Sequence, residues 1–255
     1  MPNRQRHRGA HPQDPELFAP SCVPSLQEAA RDLQWLLSRG YTLPAATKLV
    51  GDRFSLRQRQ RMALTRSVCT YTAAENRIQK SISRLPPPQT PIWVDGFNIL
   101  ITLETGLSKG LLLQGQDSAY RDLASIHGSY HRVEETDQAI LLMGHLLGDY
   151  PLQWYFDQPV SNSGRLAQRV RDIAIEHQWE WSVFTDHNPD QRLIESGALV
   201  ATTDALILDH CKEWLNVMTL LLKPEKSETS RQLVSPWLVS FYRTGPDSSQ
   251  KMYEL

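Results

Sequence analysis

The chain has 255 residues, 40% hydrophobic and 22% charged, which is enough apolar material for one large or two small domains with proper cores. No apolar run approaches the roughly 20 residues of a membrane span, and the polar, Arg-rich first ten residues lack the apolar stretch of a secretory signal, so a cytoplasmic protein with no membrane partner is expected. Cys22, Cys69 and Cys211 are scattered without a Cys-x-x-Cys pair, which argues against a disulfide framework or a cysteine zinc site.

The net charge of −1 conceals an imbalance. Residues 1–90 hold 14 Lys+Arg against 6 Asp+Glu, and the rest of the chain holds 13 against 22. Such asymmetry points to a polyanionic partner for the first part, although basic helical segments also occur as solvated faces.

Residues 1–20 are rich in Pro, Arg and His with little to bury, and they read as a loose arm. Ser25 and Glu28 have capping-box spacing ahead of LQEAARDLQWLLSR, a helix that Gly40 would close. Pro44 suits the first turn of a short helix, AATKLV, closed by Gly51. Ser55 and Gln58 form a second capping box, opening a segment to Ile82 that reads as one long helix or two. Residues 21–88 thus make a compact, basic, helix-turn-helix-like unit. Arg53, Arg57, Arg59, Arg61 and Arg66 cluster around its third helix, with Arg57 and Arg61 near one face and Arg59 and Arg66 near the other. They are the candidate phosphate contacts of a nucleic acid partner, and such binding should weaken steeply with salt. The Trp and Tyr residues mostly lie in apolar runs and read as core.

LPPPQTP, residues 85–91, cannot continue a helix and marks a domain boundary. Beyond it the period changes. IWVDGFNILI reads as a buried strand, SAYRDLASIHG and the segment around ETDQAILLMGHLLGDY as helices, LQWYFDQPV as a strand and SGRLAQRVRDIAIEHQ as a helix. WEWSVFTD is a third strand, PDQRLIES a short helix, ALVATTD a fourth strand and ALILDHCKEWLNVM its following helix. Alternating strands and helices imply an α/β domain over residues 89–222, a parallel sheet flanked by helices. In the tail, residues 223–255, SPWLVSFY is a candidate edge strand.

Ligands of open parallel sheets bind outside the carboxyl ends of the strands. Three expected strands end there in aspartate: Asp95, Asp157 and Asp204. Asp186 ends a fourth, before a His-Asn-Pro that looks like an ordinary turn. Two carboxylates about 4 Å apart repel by roughly 4 kcal/mol at an effective dielectric of 20, so a cluster needs a cation or a proton to compensate it. Oxygen-only donors favour Mg²⁺ or Mn²⁺, and a divalent ion with open positions for phosphate and water is equipment for phosphodiester hydrolysis. The plainer alternative is that each acid merely caps a helix, Asp204 above all. Asp209 is a further candidate ligand from the helix after Asp204.

Ser161, Asn162, Ser163 and Arg165 stand at a helix start beside Asp157, where free N–H groups and a guanidinium suit a phosphate. His127 and His131 have the i, i+4 spacing of a metal pair on a helix, but Gly128 interrupts it and no third ligand is evident. Arg121, Asp122, Glu134 and Glu135 receive no role.

The order of VDGFN (94–98), FD (156–157), PDQRLIES (189–196) and LVATTD (199–204) resembles the successive acidic motifs of PIN-like and NYN ribonuclease domains. The resemblance implies a PIN-like sheet, a Mg or Mn ion held by Asp95, Asp157 and Asp204 with Asp190 or Asp209 completing the set, and Asn98 bracing the first loop. The spacing after Asp204 departs from that pattern, because Ala205 to Leu208 precede the next acid. The segments LLSRGYTLPAATKLVGDRFSLRQRQRMALTRSVC and RDLASIHGSYHRVEET resemble an uncharacterised prokaryotic family, DUF434, over most of residues 25–220. The expectation is a metal-dependent ribonuclease whose RNA or single-stranded nucleic acid is delivered by the basic helical part. The alternatives are a non-catalytic nucleic-acid-binding adaptor and a small-molecule phosphatase or nucleotide-binding enzyme.

Overall fold

A computed structural model describes residues 7–9, 11–124, 128–222 and 238–242. The first part is helical: α1 (Asp14–Leu17), α2 (Val23–Ser38), α3 (Leu43–Arg53), α4 (Gln58–Ser67) and α5 (Tyr71–Gln79). On α2, Leu26, Ala29, Ala30 and Leu33 recur at helical spacing and are fully buried against Leu17, Phe18, Val50, Ala63 and Leu64.

Several local expectations are corrected. The N-terminal segment is not a loose arm where it is described: Leu17 and Phe18 enter the core, and buried Arg8 donates from Nε to Glu104 at 2.8 Å. Helix α2 begins at Val23 with Pro24 in its first turn, so Ser25 already lies inside the helix and caps nothing. Helix α3 runs past Gly51, where a Cβ would stand 2.4 Å from Cζ of Arg61; that glycine makes room for a side chain and ends nothing. The box at α4 belongs to Arg57 and Gln60, whose Oε1 accepts the Arg57 backbone N–H at 3.0 Å. The long segment is two helices, broken at extended Val68 and restarted by Thr70, whose Oγ1 accepts the Ala73 N–H at 3.1 Å.

The second part is built on a six-stranded parallel sheet. In chain order its strands are β1 (Ser81–Ile82), β2 (Ile92–Asp95), β5 (Leu152–Asp157), β6 (Trp181–Asp186), β7 (Leu199–Ala201) and β8 (Glu213–Leu215), and in space they run β1-β8-β7-β2-β5-β6. A small second sheet has the order β4-β3-β9, from β3 (Leu112–Gln114), β4 (Tyr120–Asp122) and β9 (Leu238–Ser240). Helices α6 (Gly96–Leu107), α7 (Thr136–Leu147) and α8 (Ser163–Glu176) cover one face, where Val94, Trp154, Phe156 and Val183 meet Leu100, Met143 and Val170. Helices α9 (Pro189–Glu195) and α10 (Ala205–His210) lie with the other face, among Tyr155, Val200, Leu193 and Ile207. Helix α11 (Val217–Leu221) ends the domain. Among the described residues no helix is long and apolar enough to cross a membrane.

Here too the chain departs from expectation. IWVDGFNILI is a strand only to Asp95, and from Gly96 it is helix α6. Tyr120–Asp122 is a strand where a helix was expected, pairing antiparallel with β3. The helix expected after Asp204 stops at His210 and gives way to β8. The candidate edge strand of the tail exists as β9, but it joins the small sheet, parallel to β3. The helical part and the sheet part are also joined: β1 pairs with β8, and Leu111, Leu113 and Val239 complete the core of the N-terminal helices.

Candidate functional site

Strands β7, β2 and β5 are neighbours and parallel, so their carboxyl ends open on one rim. Asp95 lies opposite Tyr155, and Asp157 is two residues beyond Tyr155, so both acids belong to the same face of the pleat. Asp204 follows β7 and caps α10, its Oδ1 accepting the Leu206 N–H at 2.8 Å and the Ile207 N–H at 3.3 Å. Asp190 enters from the first turn of α9.

The chain passes from β2 into α6 with no intervening loop, and this explains the Asp-Gly pair. Asp95 is the helix cap, with Oδ1 accepting the Asn98 N–H at 3.4 Å. Gly96 begins α6 hard against β5: a Cβ there would stand 2.3 Å from Cε1 of Phe156. Two threonines after β7 lock this corner. Thr202 Oγ1 donates to Asp95 Oδ2 at 2.8 Å and accepts the Asp204 N–H at 3.0 Å. The Thr203 hydroxyl donates to Asn98 Oδ1, and the Thr203 carbonyl accepts from Arg121 Nε at 3.0 Å. Asn98 thus meets Asp95 through its N–H and Thr203 through its side-chain oxygen.

Burial pushes the Asp95 carboxyl up to about 8; the Thr202 hydrogen bond opposes the shift, and the charges of Asp204 and Asp190 add to it. Burial also raises Asp157, with Asp204 adding to it. Asp190 is raised by burial, then by Asp204 and Asp157. The four carboxylates therefore share one field. Among the described residues none of the four forms an ion pair with a lysine, arginine or histidine. Their donor type, oxygen only, suits Mg²⁺ or Mn²⁺. Yet among the described residues no group of three or more His, Cys, Asp or Glu is placed to hold one ion together. The acids fit an ion carried by one or two carboxylates and completed by phosphate and water, and they do not form an all-protein cage.

Other candidates lie elsewhere. Asp209 is gripped by Arg77, at 2.7 Å to Nε and 2.8 Å to Nη2, and takes no part in the rim. Asp186 accepts the Asn188 N–H and the Arg192 guanidinium, each at 3.0 Å, which bears out the turn reading. Arg59 is tied to Asp14 and Arg61 to Asp52, in structural pairs. Arg53 pairs with Asp32 at 3.2 Å, while Arg57 and Arg66 are exposed and without an ion pair among the described residues. At the start of α8 two of the expected free N–H groups are engaged: the Ser161 N–H donates to Gly128 O at 3.0 Å and the Ser163 N–H to Val160 O at 3.1 Å. Asn162, at φ +69°, sends its Nδ2 to Tyr130 O at 2.9 Å. Arg165 is exposed and without an ion pair among the described residues. His127 lies outside the described residues, and His131 Nε2 meets Ser129 Oγ at 3.4 Å.

Sequence reasoning passed over Thr202, Thr203 and Arg121. The TTD run was visible, but only the fold carries its hydroxyls to Asp95 and Asn98. Arg121 and Arg77 both bind buried Asp117, at 2.7–2.8 Å. Helix α5 is thereby tied to the carbonyl just before Asp204.

Fold and rim together define an α/β protein on a parallel sheet with four carboxylates at its strand ends. The chain belongs to the family described as "Domain of unknown function (DUF5616)", which matches residues 88–220. Residues 25–80 match "Protein of unknown function (DUF434)", so that resemblance covers the helical part and does not extend through the sheet. The chain is 31% identical over 188 residues to "Uncharacterized protein MJ0935" of Methanocaldococcus jannaschii, an alignment covering 72% of this chain and 89% of that protein. No solved structure matches.

Proposed function

We propose that this protein is a cytoplasmic phosphodiester hydrolase acting on RNA, its sheet a PIN-like arrangement and its substrate delivered by the basic helical part. One observation carries the reading: four aspartates, Asp95, Asp157, Asp190 and Asp204, stand at one rim of the sheet without a cationic partner among the described residues. Helix capping accounts for Asp95 and Asp204 but leaves Asp157 and Asp190 without a structural use. Clustered carboxylates without a cation persist at a cost, and such costs concentrate at functional sites.

One or two of Asp157, Asp190 and Asp204 would hold a Mg or Mn ion, which when bound would supply charge neutralisation at the scissile phosphate and a more acidic water. Asp95, fixed by Thr202 and the Asn98 N–H, sets the field at the back of the crevice. Arg165, exposed on the first turn after Asp157, is the residue to hold a flanking phosphate.

The expected result is Mn²⁺-dependent cleavage of a generic RNA that disappears in Asp204→Asn and Asp157→Asn, while RNA affinity in chelator is retained. Equal cleavage by wild type and both variants would sink the proposal. A non-catalytic nucleic-acid-binding adaptor is the second reading, favoured by the lack of a three-ligand group among the described residues. Salt-sensitive RNA binding with no cleavage under any divalent ion would select it.

A further inference from the structure

The solvent face of α2 carries Arg31, Trp35 and Arg39 at i, i+4 and i+8, one above another. The Arg39 guanidinium lies 4.2 Å from the centre of the Trp35 ring, and Trp35 is 37% exposed. Past the helix end, Gly40 at φ +85° turns the chain, with nothing within 4 Å of where its Cβ would be. Tyr41, 50% exposed, follows it and is held by its N–H to Leu36 O at 3.2 Å. Tyr71, 40% exposed, opens α5 at the same place, its backbone N–H donating to Ser38 Oγ at 3.0 Å. Of the four largely exposed aromatic side chains among the described residues, three gather at this one helix end; the fourth is Phe184.

The charge of the same surface is open. Arg53, Arg59 and Arg61 are paired with Asp32, Asp14 and Asp52, whereas neither Arg31 nor Arg39 forms an ion pair among the described residues. Along α2 the acids beside Arg31 are Asp32, which pairs with Arg53, and Glu28, one turn away; along α5 Glu75 stands one turn from Tyr71.

We propose that the α2 end is a stacking platform for single-stranded nucleic acid, with Trp35, Tyr41 and Tyr71 receiving bases and Arg31 and Arg39 meeting phosphates. Interleaved rings and guanidinium groups match the interleaved bases and phosphates of a single strand. A duplex hides its base faces inside its own stack and cannot use such a surface. Of the arginines first expected to bind phosphate, Arg53, Arg59 and Arg61 are paired with aspartates, and this surface adds two unpaired guanidinium groups beside exposed rings. Helix α5 leads from the platform towards the sheet: Tyr71 is six residues, about 9 Å of helix, from the Arg77 that grips Asp209 on α10. The inference rests on the nucleic-acid half of the proposed function and is independent of hydrolysis.

The test is fluorescence anisotropy of labelled oligo(U), about 12 nucleotides long, with the full chain in EDTA at low salt. Trp35→Ala with Tyr41→Ala should weaken binding at least fivefold per ring removed, roughly the effect of losing one stacked base. Trp35→Phe should restore most of it, and Arg39→Ala should flatten the salt dependence. Circular dichroism of each variant reports folding, and the Phe variant keeps the test decisive if the double variant melts. The platform is overturned if wild type does not bind, if the folded double variant binds equally well, or if a duplex of the same length binds as tightly. Binding without Mn²⁺-dependent cleavage removes the hydrolytic reading and leaves the platform. Cleavage with unchanged affinity in the double variant removes the platform alone.

Discussion

Asp95 combines two roles in one side chain. As the cap of α6 it is structural, and as a buried carboxyl facing Asp204 and Asp190 it is an electrostatic burden. The sign of that burden follows from linkage. The folded-state pKa of about 8 lies above the ordinary carboxylate value, so between about pH 4 and pH 8 the folded chain holds a proton that the unfolded chain has released. Stability contributed by this group is present at low pH and is lost as pH rises through that window. Asp95→Asn removes the titration and keeps an oxygen to accept the Asn98 N–H. Its midpoint of thermal unfolding in chelator should exceed that of wild type by several degrees at pH 8, and by much less at pH 5. An equal difference at the two pH values would show that burial of the charged form is not what strains this corner. The carboxylate itself was legible from the opening strand; the Thr202 hydroxyl that holds it lies 107 positions away in sequence, and no local pattern reports it.

At the scale of elements, α8 was readable because Leu166, Ala167, Val170, Ile173 and Ala174 repeat with the helical period and are all buried. Strand β5 was readable because its apolar run is bounded by Pro151 and a turn. Tyr120–Asp122 was not, because its pairing with β3 and the demand of Arg121 for Asp117 are not contained in the segment's own period. Helix α7 offers a test in which two element-level effects oppose one another. Glycine inside a helix costs about 1 kcal/mol relative to alanine, so Gly144→Ala should stabilise on propensity alone. At Gly144, however, a Cβ would stand 1.7 Å from Cη2 of Trp179, whose ring also packs with His177 and Trp181. The ring must leave its seat, and that loss outweighs the propensity gain. Gly144→Ala is expected to unfold at lower urea than wild type, and a higher midpoint would overturn this account of the glycine.

For the whole molecule, the charge imbalance between the two ends proves to be partly internal. Arg8 reaches Glu104, which is fully buried and also receives the hydroxyls of Tyr130 and Thr136; Arg77 joins Asp117 to Asp209 across the two parts of the chain. These cations serve the junction of helices and sheet and are not offered to a partner. Burial pushes Asp117 up, but the charges and hydrogen bonds of Arg121 and Arg77 pull it further down, to a net value below the ordinary range. Its stabilising contribution is present above about pH 4 and is lost as pH falls below that. Asp117→Asn leaves buried Arg121 without a carboxylate and Arg77 with Asp209 alone, and should cost on the order of 3–5 kcal/mol, read as a lowered urea midpoint at pH 7. A loss under 1 kcal/mol would mean that the network is dispensable. Arg8→Ala should likewise destabilise the chain by stranding Glu104, a result that a loose N-terminal arm would not produce.

The sequence alone determined the helical first part, the alternation of strands and helices, the parallel sheet and the acids that end its strands, because apolar periodicity and turn residues are local properties of the chain. Tertiary structure alone decided which acids face one another, which arginines are consumed in the interior, and which aromatic rings stand in water. Ion pairs and exposure are set by neighbours distant in sequence, whose positions follow from packing and not from spacing along the chain.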